Sequence, residues 1–480
     1  MTNTPPIPDD LWSQVPAAAQ AAVAVVFQAM QRRIDVLEAR IADLEARLNQ
    51  NSSNSSKPPS SDPIGIKRKP PAPPSRHKRG GQPGRRKAVR PLVPPDKLRS
   101  STDCKPASCR RCKGPLDGVD PEPLVHQIAE IPPSEPQVDQ YLLHRLTCPG
   151  CGESTCGTLP EGVSASCFGP RLQAVLAALA GAYRLSKRQV RQVAGDLLGL
   201  SISTGMIAKL ERRSALALTD PCRELAEAVH EAEVVNVDET GWREGGRRAW
   251  LWAATTESAT VFTIAANRSA EVARGLLGDK EDRTVGSDRF SAYNWIDAAS
   301  RQLCWSHLRR DFQAMIDRGG IGGKFGVRLL ALSDRLFRLR RKARDGLLSE
   351  ATYQKAMRGL ARFVQATLDD GSRCGCARTA GTCSDLLRLE DGLWNFARRP
   401  GVEPTNNVSE RAVRHAVIWR RISGGTQSAS GSRFVERMLT VVATCRRQGR
   451  DVLDYLTSAF QAHHAALAIP SLLPSSSGAG

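Results

Sequence analysis

The chain has 480 residues, with 68 Lys and Arg against 49 Asp and Glu, which gives a net charge of +19. This length exceeds one ordinary hydrophobic core and predicts about three domains, and the positive charge predicts a polyanionic partner. No apolar stretch is long enough to span a bilayer, which excludes a membrane-spanning protein and favours nucleic acid over a membrane surface as the partner.

The cysteine content indicates metal ligands rather than disulfides. The N-terminal segment MTNTPPIPDDLW lacks the basic-then-apolar layout of a secretion signal, so we expect a cytoplasmic, nucleoid-associated protein. Thiols stay reduced in that compartment. The 13 cysteines are therefore expected to bind metal or to be buried as free thiols.

Residues 20–50 carry an apolar seam whose members are spaced alternately four and three residues apart. This heptad repeat predicts a coiled coil, and the charge pairs Arg33–Glu38 and Arg40–Glu45 fit a parallel dimer. We therefore expect a homodimer or higher oligomer; the alternative is an amphipathic helix packed against its own protein. The seam consists of Val23, Phe27, Met30, Ile34, Leu37, Ile41, Leu44 and Leu48.

Residues 51–99 are rich in Pro, Ser and basic side chains. From Lys57 to Arg99 there are 13 Lys or Arg against two Asp. Such a composition cannot form a core, so it predicts a disordered basic linker, and its charge favours contact with DNA phosphates. The alternative is a tether that only keeps the chain in solution.

Residues 100–160 are predicted to form a zinc-binding module. Two pairs of cysteines with the two-residue spacing of a zinc knuckle are separated by 35 residues, which two strands over 124–133 and 137–148 could fill. Cys104 and Cys156 could replace one of the ligands, and buried free thiols are the alternative. The predicted structural Zn²⁺ ligands are Cys109, Cys112, Cys148 and Cys151.

Residues 168–216 have the pattern of several helices, including a helix, a turn and a second helix that Thr204 could cap. The second helix would present Lys209, Arg212 and Arg213, which suits a helix-turn-helix whose second helix enters a DNA groove. The alternative is an ordinary helical hairpin with a solvated basic face.

Residues 230–309 change to a strand-rich pattern. The predicted order is a strand ending in Asp238, two antiparallel strands, a helix, a strand ending in Asp288 and a further strand over 301–308. That order is the one an RNase H-like core requires. If the two acidic strands are neighbours, their carboxylates face each other and suit two Mg²⁺ or Mn²⁺ ions, which can support in-line phosphoryl displacement.

A third acid is expected in residues 399–465, the second part of this core. Thr405, Asn406 or Asn407 could cap a helix that carries Glu410 in its first turn. Taken singly, Glu410 could be a surface partner of Arg414, and either Asp could be a turn or cap residue. Residues 310–398, which separate the second and third acids, predict a helical insertion that contacts DNA. Within it, Cys374, Cys376 and Cys383 could hold a second zinc, but no fourth ligand is evident, and packing is favoured.

The strings DETGW, SDRFSAY, CWSHLRRDF and PTNNVSERAVR resemble the insertion-sequence-66 family of transposases, over nearly the whole chain. The resemblance implies a DNA transposase that binds element ends and catalyses metal-dependent 3′-end cleavage and strand transfer, with accessory proteins of the same element as further partners. It implies that Asp238, Asp288 and Glu410 are the catalytic acids. Arg289 and Phe290 depart from the family, which commonly has Gly-Tyr there.

The resemblance also identifies residues around these acids. Asn406 and Asn407 fall on paired asparagines before the third acid, and His307 and Arg310 on a CWxHxRR stretch. Arg411 and Arg414, which follow Glu410 on the same helix, are expected to contact DNA. Two alternative functions are considered. A non-catalytic, zinc-containing DNA-binding regulator fits the N-terminal features equally well but gives no reason for the three acids, and a metal-dependent nuclease without strand transfer is excluded only by the resemblance.

The expected fold is therefore multidomain α/β. An RNase H-like mixed-sheet catalytic core with a helical insertion follows a coiled coil, a zinc module and a helix-turn-helix.

Overall fold

A computed structural model describes residues 8–51, 55, 91–132, 136–161 and 163–474. Most of the linker predicted over 51–99 lies outside the described residues. No helix in the described part of the chain is both long enough and apolar enough to cross a membrane.

The N-terminal heptad seam lies on one long helix. After the short helix α1 (Asp9–Trp12), helix α2 (Ala17–Leu48) runs through the whole repeat. Its seam is largely exposed, with Ile34 at 45% and Ile41 at 55% of full accessibility. The described residues therefore leave this face uncovered, which disagrees with packing against the same chain. Dimerisation stays a prediction.

The region of the paired cysteines contains little regular structure. Its only described strands are β1 (Arg145–Thr147) and β2 (Ser154–Cys156), which form an antiparallel hairpin. The two long strands expected over 124–133 and 137–148 are wrong except for the last residues of the second. Their apolar side chains have no core to pack against, and Ile128 and Ile131 are more than four-fifths exposed.

A helical layer follows. It consists of α3 (Pro170–Gly181), α4 (Lys187–Leu198), α5 (Thr204–Ala217) and α6 (Thr219–Glu231). A capping box formed by Ser186 and Gln189 begins α4, and left-handed Gly199 ends it. Ser203 Oγ accepts the N–H of Met206 and caps α5, so the expectation that Thr204 caps this helix is wrong.

Residues 234–303 form a five-stranded mixed sheet with one helix. The strands are β3 (Val234–Glu244), β4 (Arg247–Thr255), β5 (Thr260–Ala265), β6 (Thr284–Ser287) and β7 (Arg301–Leu303), with α7 (Ala270–Leu277) before β6. They lie in the order β5-β4-β3-β6-β7. The β5-β4-β3 pairs are antiparallel, and β6 and β7 run parallel to β3. The α/β class expected from the sequence is confirmed.

Two strand boundaries differ from the prediction. Asp238 does not end its strand, because β3 continues to Glu244 and turns at Gly245 and Gly246, which both have positive φ. The last strand stops at Leu303, and a helix begins at Trp305, so a strand over 301–308 is wrong in its second half. The buried side chains of that helix recur at helical spacing, and this pattern outweighs the short apolar run that had predicted a strand.

The helices of the insertion form a second hydrophobic core. They are α8 (Trp305–Arg318), α9 (Gly320–Arg344), α10 (Glu350–Ser372), α11 (Ala377–Arg388) and α12 (Asn395–Arg398). Their core includes Phe312, Leu336, Leu360 and Leu386 and is distinct from the core around the sheet. The insertion therefore packs largely on itself.

Three helices complete the chain: α13 (Asn407–Ser423), α14 (Ala429–Arg447) and α15 (Val452–His464). Helix α14 covers the edge strand β5 with three side chains spaced four residues apart, which accept the free N–H groups of that strand. Glu436 accepts from Ile264 at 2.5 Å, Thr440 from Phe262 at 3.0 Å and Thr444 from Thr260 at 3.1 Å. The edge is thereby closed to pairing with another chain.

Candidate active site

Two of the predicted acids are brought side by side by strand register. Strands β3 and β6 pair in parallel, with Asn236 opposite Gly286. Asp238 and Asp288 each follow this pair by two residues, so the two acids lie at the same end of the pairing between these neighbouring strands. A Cβ at Gly286 would come within 2.2 Å of Asn236 Oδ1, so any larger residue there would have to displace the Asn236 side chain.

The third acid is placed by the start of α13. Asn406 Nδ2 donates to the carbonyl of Val237 at 2.6 Å, and Ser409 Oγ donates to that of Asn236 at 2.7 Å. These bonds fix the first turn of α13, which carries Glu410, on the strand that carries Asp238. Asn406 is the N-cap residue of α13, as the sequence allowed, but its side chain binds the sheet and makes no capping hydrogen bond.

Electrostatic interactions link Asp238 to the other two acids. Burial raises the pKa of Asp238 well above its usual range, and the charges of Glu239, Glu410 and Asp288 raise this pKa further. Carboxylates that interact in this way repel one another unless a proton or a cation compensates the charge. We call Asp238, Asp288 and Glu410 the acid cluster.

Helix α8 supplies two basic partners to Glu410. The Oε1 atom of Glu410 lies 3.2 Å from His307 Nδ1 and 3.8 Å from Arg310 Nη2. Burial, followed by the charge of Arg310, lowers the pKa of His307. The resemblance to known transposases singled out His307 and Arg310 without a role, and the structure places both against the third acid.

The donor set fits a metal ion. Within the described residues, Glu410 Oε1, His307 Nδ1 and Asn406 Oδ1 are buried without a hydrogen bond of good geometry. Ligand atoms of Cys304, His307 and Glu410 also lie within 4.8 Å of one another. Burial raises the pKa of Cys304 to about 11, and its sulfur accepts the Asn406 N–H, so this thiol is a poor ligand. Carboxylate oxygens, by contrast, are the ligands that Mg²⁺ and Mn²⁺ prefer.

Comparison with known proteins identifies the family. The family model described as "Transposase IS66 family" matches residues 165–433, which hold all three acids. The chain belongs to the IS66 family of transposases. Membership supports a transposase function in general terms and suggests the use of a divalent metal. A family of unknown function, DUF6444, matches residues 5–91, which include α2.

Curated relatives of this IS66-family chain carry no assigned function. The uncharacterized protein y4qI of Sinorhizobium fredii is 26% identical to this chain over 289 residues, which cover 54% of this chain and 53% of the relative. The uncharacterized protein y4jO of the same organism is 27% identical to this chain over 186 residues, which cover 38% of this chain and 53% of the relative. The chain thus spans about half the length of the curated relatives it matches.

A buried cluster behind the acids was missed by the sequence reasoning. Glu239, next to Asp238, points to the opposite face of β3, where Arg268 Nε donates to it at 2.9 Å and the Tyr293 hydroxyl donates as well. Burial raises the pKa of Glu239. The second acid of DETGW thus ties the SAY segment to the sheet. A pair of consecutive acids inside an alternating strand was the signal that could have revealed it.

Arg301 is a second residue that the sequence reasoning missed. It is fully buried, and burial lowers its pKa to about 10. Its guanidinium donates to Ser287 Oγ at 2.9 Å, to the Asp288 carbonyl at 2.5 Å and to Asn294 Oδ1 at 3.2 Å. It therefore fixes the loop that carries the second acid of this IS66 transposase.

Arg289 and Phe290, where the sequence departs from the family, both make contacts in the structure. Arg289 Nε lies 2.9 Å from Asp311 Oδ2 on α8, and the Phe290 N–H donates to Asp288 Oδ1 at 2.9 Å. The Arg268 guanidinium lies over the Phe290 ring, 3.5 Å from its centroid. The loop is thus held to both the insertion and the sheet.

The two cysteine pairs form matching turns. Cys109 N–H donates to Gly114 O, and Cys148 N–H donates to Glu153 O. Backbone N–H groups within each turn, chiefly those of Cys112 and Cys151, lower the pKa of Cys109 and of Cys148. In the described part of the chain, the sulfur atoms of the two pairs do not form a common metal-binding cluster. Among the described residues, Cys304, His307 and Glu410 are the one group of possible metal ligands whose donor atoms lie close together. Zinc binding therefore stays a prediction.

The predicted DNA-contacting side chains lie at the surface. Lys209 and Arg212 on α5 and Arg411 and Arg414 on α13 are exposed, and Arg213 is half-buried. These residues form two separate groups, on different helices. Their contacts with DNA stay predictions.

Two other glutamates are engaged away from the acid cluster. Glu403 pairs with Arg340 at 2.9 Å, and Glu436 binds β5 and Arg433. In the insertion, Cys383 is buried against Gly371, which agrees with a packing role for that cysteine.

Proposed function

We propose that the chain is a DDE transposase that binds the ends of its element, cleaves their 3′ ends and transfers them to target DNA. The observation that supports the proposal is the placement of Asp238 on β3, of Asp288 directly after the neighbouring parallel strand β6, and of Glu410 in the first turn of the helix that is hydrogen-bonded to β3. The sheet order supports an RNase H-like core, because three antiparallel strands are followed by two strands parallel to the first.

The acid cluster would hold two Mg²⁺ or Mn²⁺ ions. When bound, such ions supply Lewis-acid stabilisation of the attacking and leaving oxygens of a phosphoryl transfer. The raised pKa of Asp238 and the buried Glu410 Oε1, which accepts no hydrogen bond, support a cation at this position. A structural zinc held by Cys109, Cys112, Cys148 and Cys151 is proposed separately.

The protein's own residues position the reaction. His307 and Arg310 hold Glu410, and Arg301 holds the backbone of Asp288, so the three carboxylates keep one geometry. In the first step a water oxygen forms a bond to phosphorus while the bond from phosphorus to the 3′ oxygen breaks, leaving a 3′-hydroxyl. In the second step that hydroxyl attacks a target phosphodiester and displaces another 3′ oxygen.

The remaining parts of the chain are proposed to bring DNA to the acid cluster. Exposed basic residues on α5 suit a helix-turn-helix contact, and Arg411 and Arg414 extend the basic surface next to Glu410. The exposed seam of α2 suits a parallel dimer, which would bring two active sites to two element ends.

Amide variants of the acid cluster test the proposal. Asp238→Asn, Asp288→Asn and Glu410→Gln should each lower cleavage and strand transfer at least ~1000-fold, while DNA affinity changes less than about twofold. The losses should not add in double variants, because the acids serve one site. The assay uses purified full-length protein, Mg²⁺ and labelled element ends, and circular dichroism monitors the fold.

Glu403→Gln is the matched control, because Glu403 is an exposed glutamate only seven residues from Glu410 that pairs with Arg340. It should cleave like the wild type. Full cleavage by Glu410→Gln, or loss of cleavage in Glu403→Gln, would overturn the assignment of the third acid. DNA binding without any cleavage by the wild type would favour a non-catalytic regulator, and cleavage without strand transfer would favour a nuclease.

A further inference from the structure

A cleft of about 360 Å³ lies on the far side of α13 from the acid cluster. Its walls come from the end of α3, from α13, from α14 and from the edge strand β5. Apolar side chains that include Phe262, Leu439 and Val442 line one part of it. Nothing in the proposed cleavage chemistry uses this cleft.

The rest of the lining is strongly basic. It contains Arg184, Arg411, His415, Arg446 and Arg447, and the described residues that line the cleft include no Asp or Glu. In the described part of the chain, none of the four arginines forms an ion pair with a carboxylate. Four guanidinium groups without counter-charges therefore share one concave surface.

The cleft is organised rather than a chance gathering of surface side chains. Arg184 adopts a left-handed backbone conformation with φ of 64°, which is unfavourable for a residue with a Cβ. In this conformation its Nη1 lies 3.1 Å from His415 Nδ1 on α13. The turn after α3 thus adopts an unfavourable backbone conformation that holds the Arg184 side chain in the cleft.

The positive groups act on one another. Burial, and then the charges of Arg184 and Arg446, lower the pKa of His415. Burial and the charge of Arg411 lower the pKa of Arg447. Mutual repulsion of this kind is relieved when an anion enters, so the cleft has the electrostatics of an anion-binding site.

Helix α13 relates the cleft to the acid cluster. Asn406, Ser409 and Glu410 face the sheet and the acids, whereas Arg411 and His415, one turn apart, line the cleft. One helix therefore separates the two sites, and the exposed Arg411 lies between them. DNA that leaves the acids across this helix would reach the cleft.

We infer that this cleft binds phosphate groups of a DNA segment that passes over α13, at a second contact outside the acid cluster. The inference rests on the proposed function, because a DNA-processing enzyme provides the polyanion that fits four arginines without carboxylate partners. It assigns a binding role to Arg184, Arg446 and Arg447, which lie on elements other than the acid-bearing helix.

The salt dependence of DNA binding tests the inference. In the full-length protein, Arg446→Gln/Arg447→Gln should weaken binding of a labelled DNA duplex. It should also lower the slope of log affinity against log salt by about two, one for each lost phosphate contact. Arg446→Lys/Arg447→Lys keeps both charges and should restore most of the slope. Thermal unfolding of each variant monitors the fold.

The matched control is Arg171→Gln/Arg223→Gln, which removes the same charge from exposed positions on α3 and α6 that do not line the cleft. An equal change of slope in the control and in the cleft variant would overturn the inference. So would an unchanged slope in a folded cleft variant.

A nucleotide probe separates DNA from a small phosphorylated ligand. The same variants are titrated with ATP without metal. If the cleft variant loses ATP binding while its DNA slope is unchanged, the assignment to DNA is overturned in favour of a free nucleotide. These binding measurements need no cleavage, so a failure of the acid-cluster test would leave them interpretable, and a failure here would leave that test intact.

Discussion

The part of the chain before residue 162 leaves its apolar side chains exposed, whereas the part after it buries them. Among the described residues, the buried hydrophobic side chains begin at Ala174, and none lies in the earlier part. There, Leu124, Ile131 and Val138 are more than four-fifths exposed, and seam residues of α2 such as Met30 at 60% and Ile41 at 55% are about half exposed. The later part has two cores and buries polar groups such as Glu239 and Arg301 with partners.

The two parts therefore differ in the source of their stability. The later part supplies its own core and its own hydrogen-bond partners, so it should fold without help. The earlier part leaves apolar side chains and paired thiols facing solvent, so its order should depend on something added: a metal ion for the cysteine pairs and a second copy for α2. Three measurements test this contrast between the two parts.

The largest effect is expected from metal removal. If the cysteine pairs share one zinc, the ion would contribute roughly 10 kcal/mol to ordering residues 100–160, by analogy with structural zinc sites in general. Cys109→Ser should lose about one zinc per chain and make this region sensitive to protease, while residues 165–474 stay resistant. Metal analysis and limited proteolysis measure both effects.

Cys167→Ser is the control for the zinc prediction, because Cys167 is also exposed but lies outside the paired cysteines. It should keep its metal. If the wild type binds less than about half an equivalent of zinc, or if both variants behave alike, the earlier part is not organised by zinc.

A smaller loss is expected inside the later part. Arg301→Ala removes a buried guanidinium and leaves Ser287, Asn294 and the Asp288 carbonyl without their donor. The free energy of unfolding should fall by about 3–5 kcal/mol, and cleavage should fall because the loop of Asp288 is released. Chemical denaturation and the cleavage assay measure the two changes.

Arg388→Ala provides the comparison, since Arg388 is an exposed arginine that pairs with Asp385 at 3.7 Å. A surface pair of this kind should contribute less than about 1 kcal/mol. Equal losses in the two variants would mean that the buried network does not stabilise the later part more than its surface does.

The smallest effect is expected at α2. Ile34→Asp/Ile41→Asp places charges in the seam and should raise the dimer dissociation constant at least ~100-fold, which corresponds to about 2.7 kcal/mol. Val25→Asp/Val36→Asp adds the same charges on exposed positions off the seam and should leave the dimer nearly unchanged. Sedimentation equilibrium distinguishes them, and a wild-type monomer at high micromolar concentration would contradict the prediction.

The positions of the three acids could be read from local pattern. A short buried run before Asp238, a second run before Asp288 and a cluster of polar residues before Glu410 predict their places on two strands and at a helix start. The mixed α/β class and the helices of the insertion follow from periodicity in the same way. The boundaries of β3 and β7 were less predictable, because a strand continues or stops according to what pairs with it.

Local sequence pattern thus predicts where the three acids lie along the chain and next to which kind of element. The contacts that hold them follow only from the tertiary structure. Glu239 meets Arg268 and Tyr293 across 29 and 54 residues of chain, and Glu436 meets Ile264 across 172. The partner of a buried charge depends on which elements pack together, and a periodic pattern records only which face of its own element is apolar.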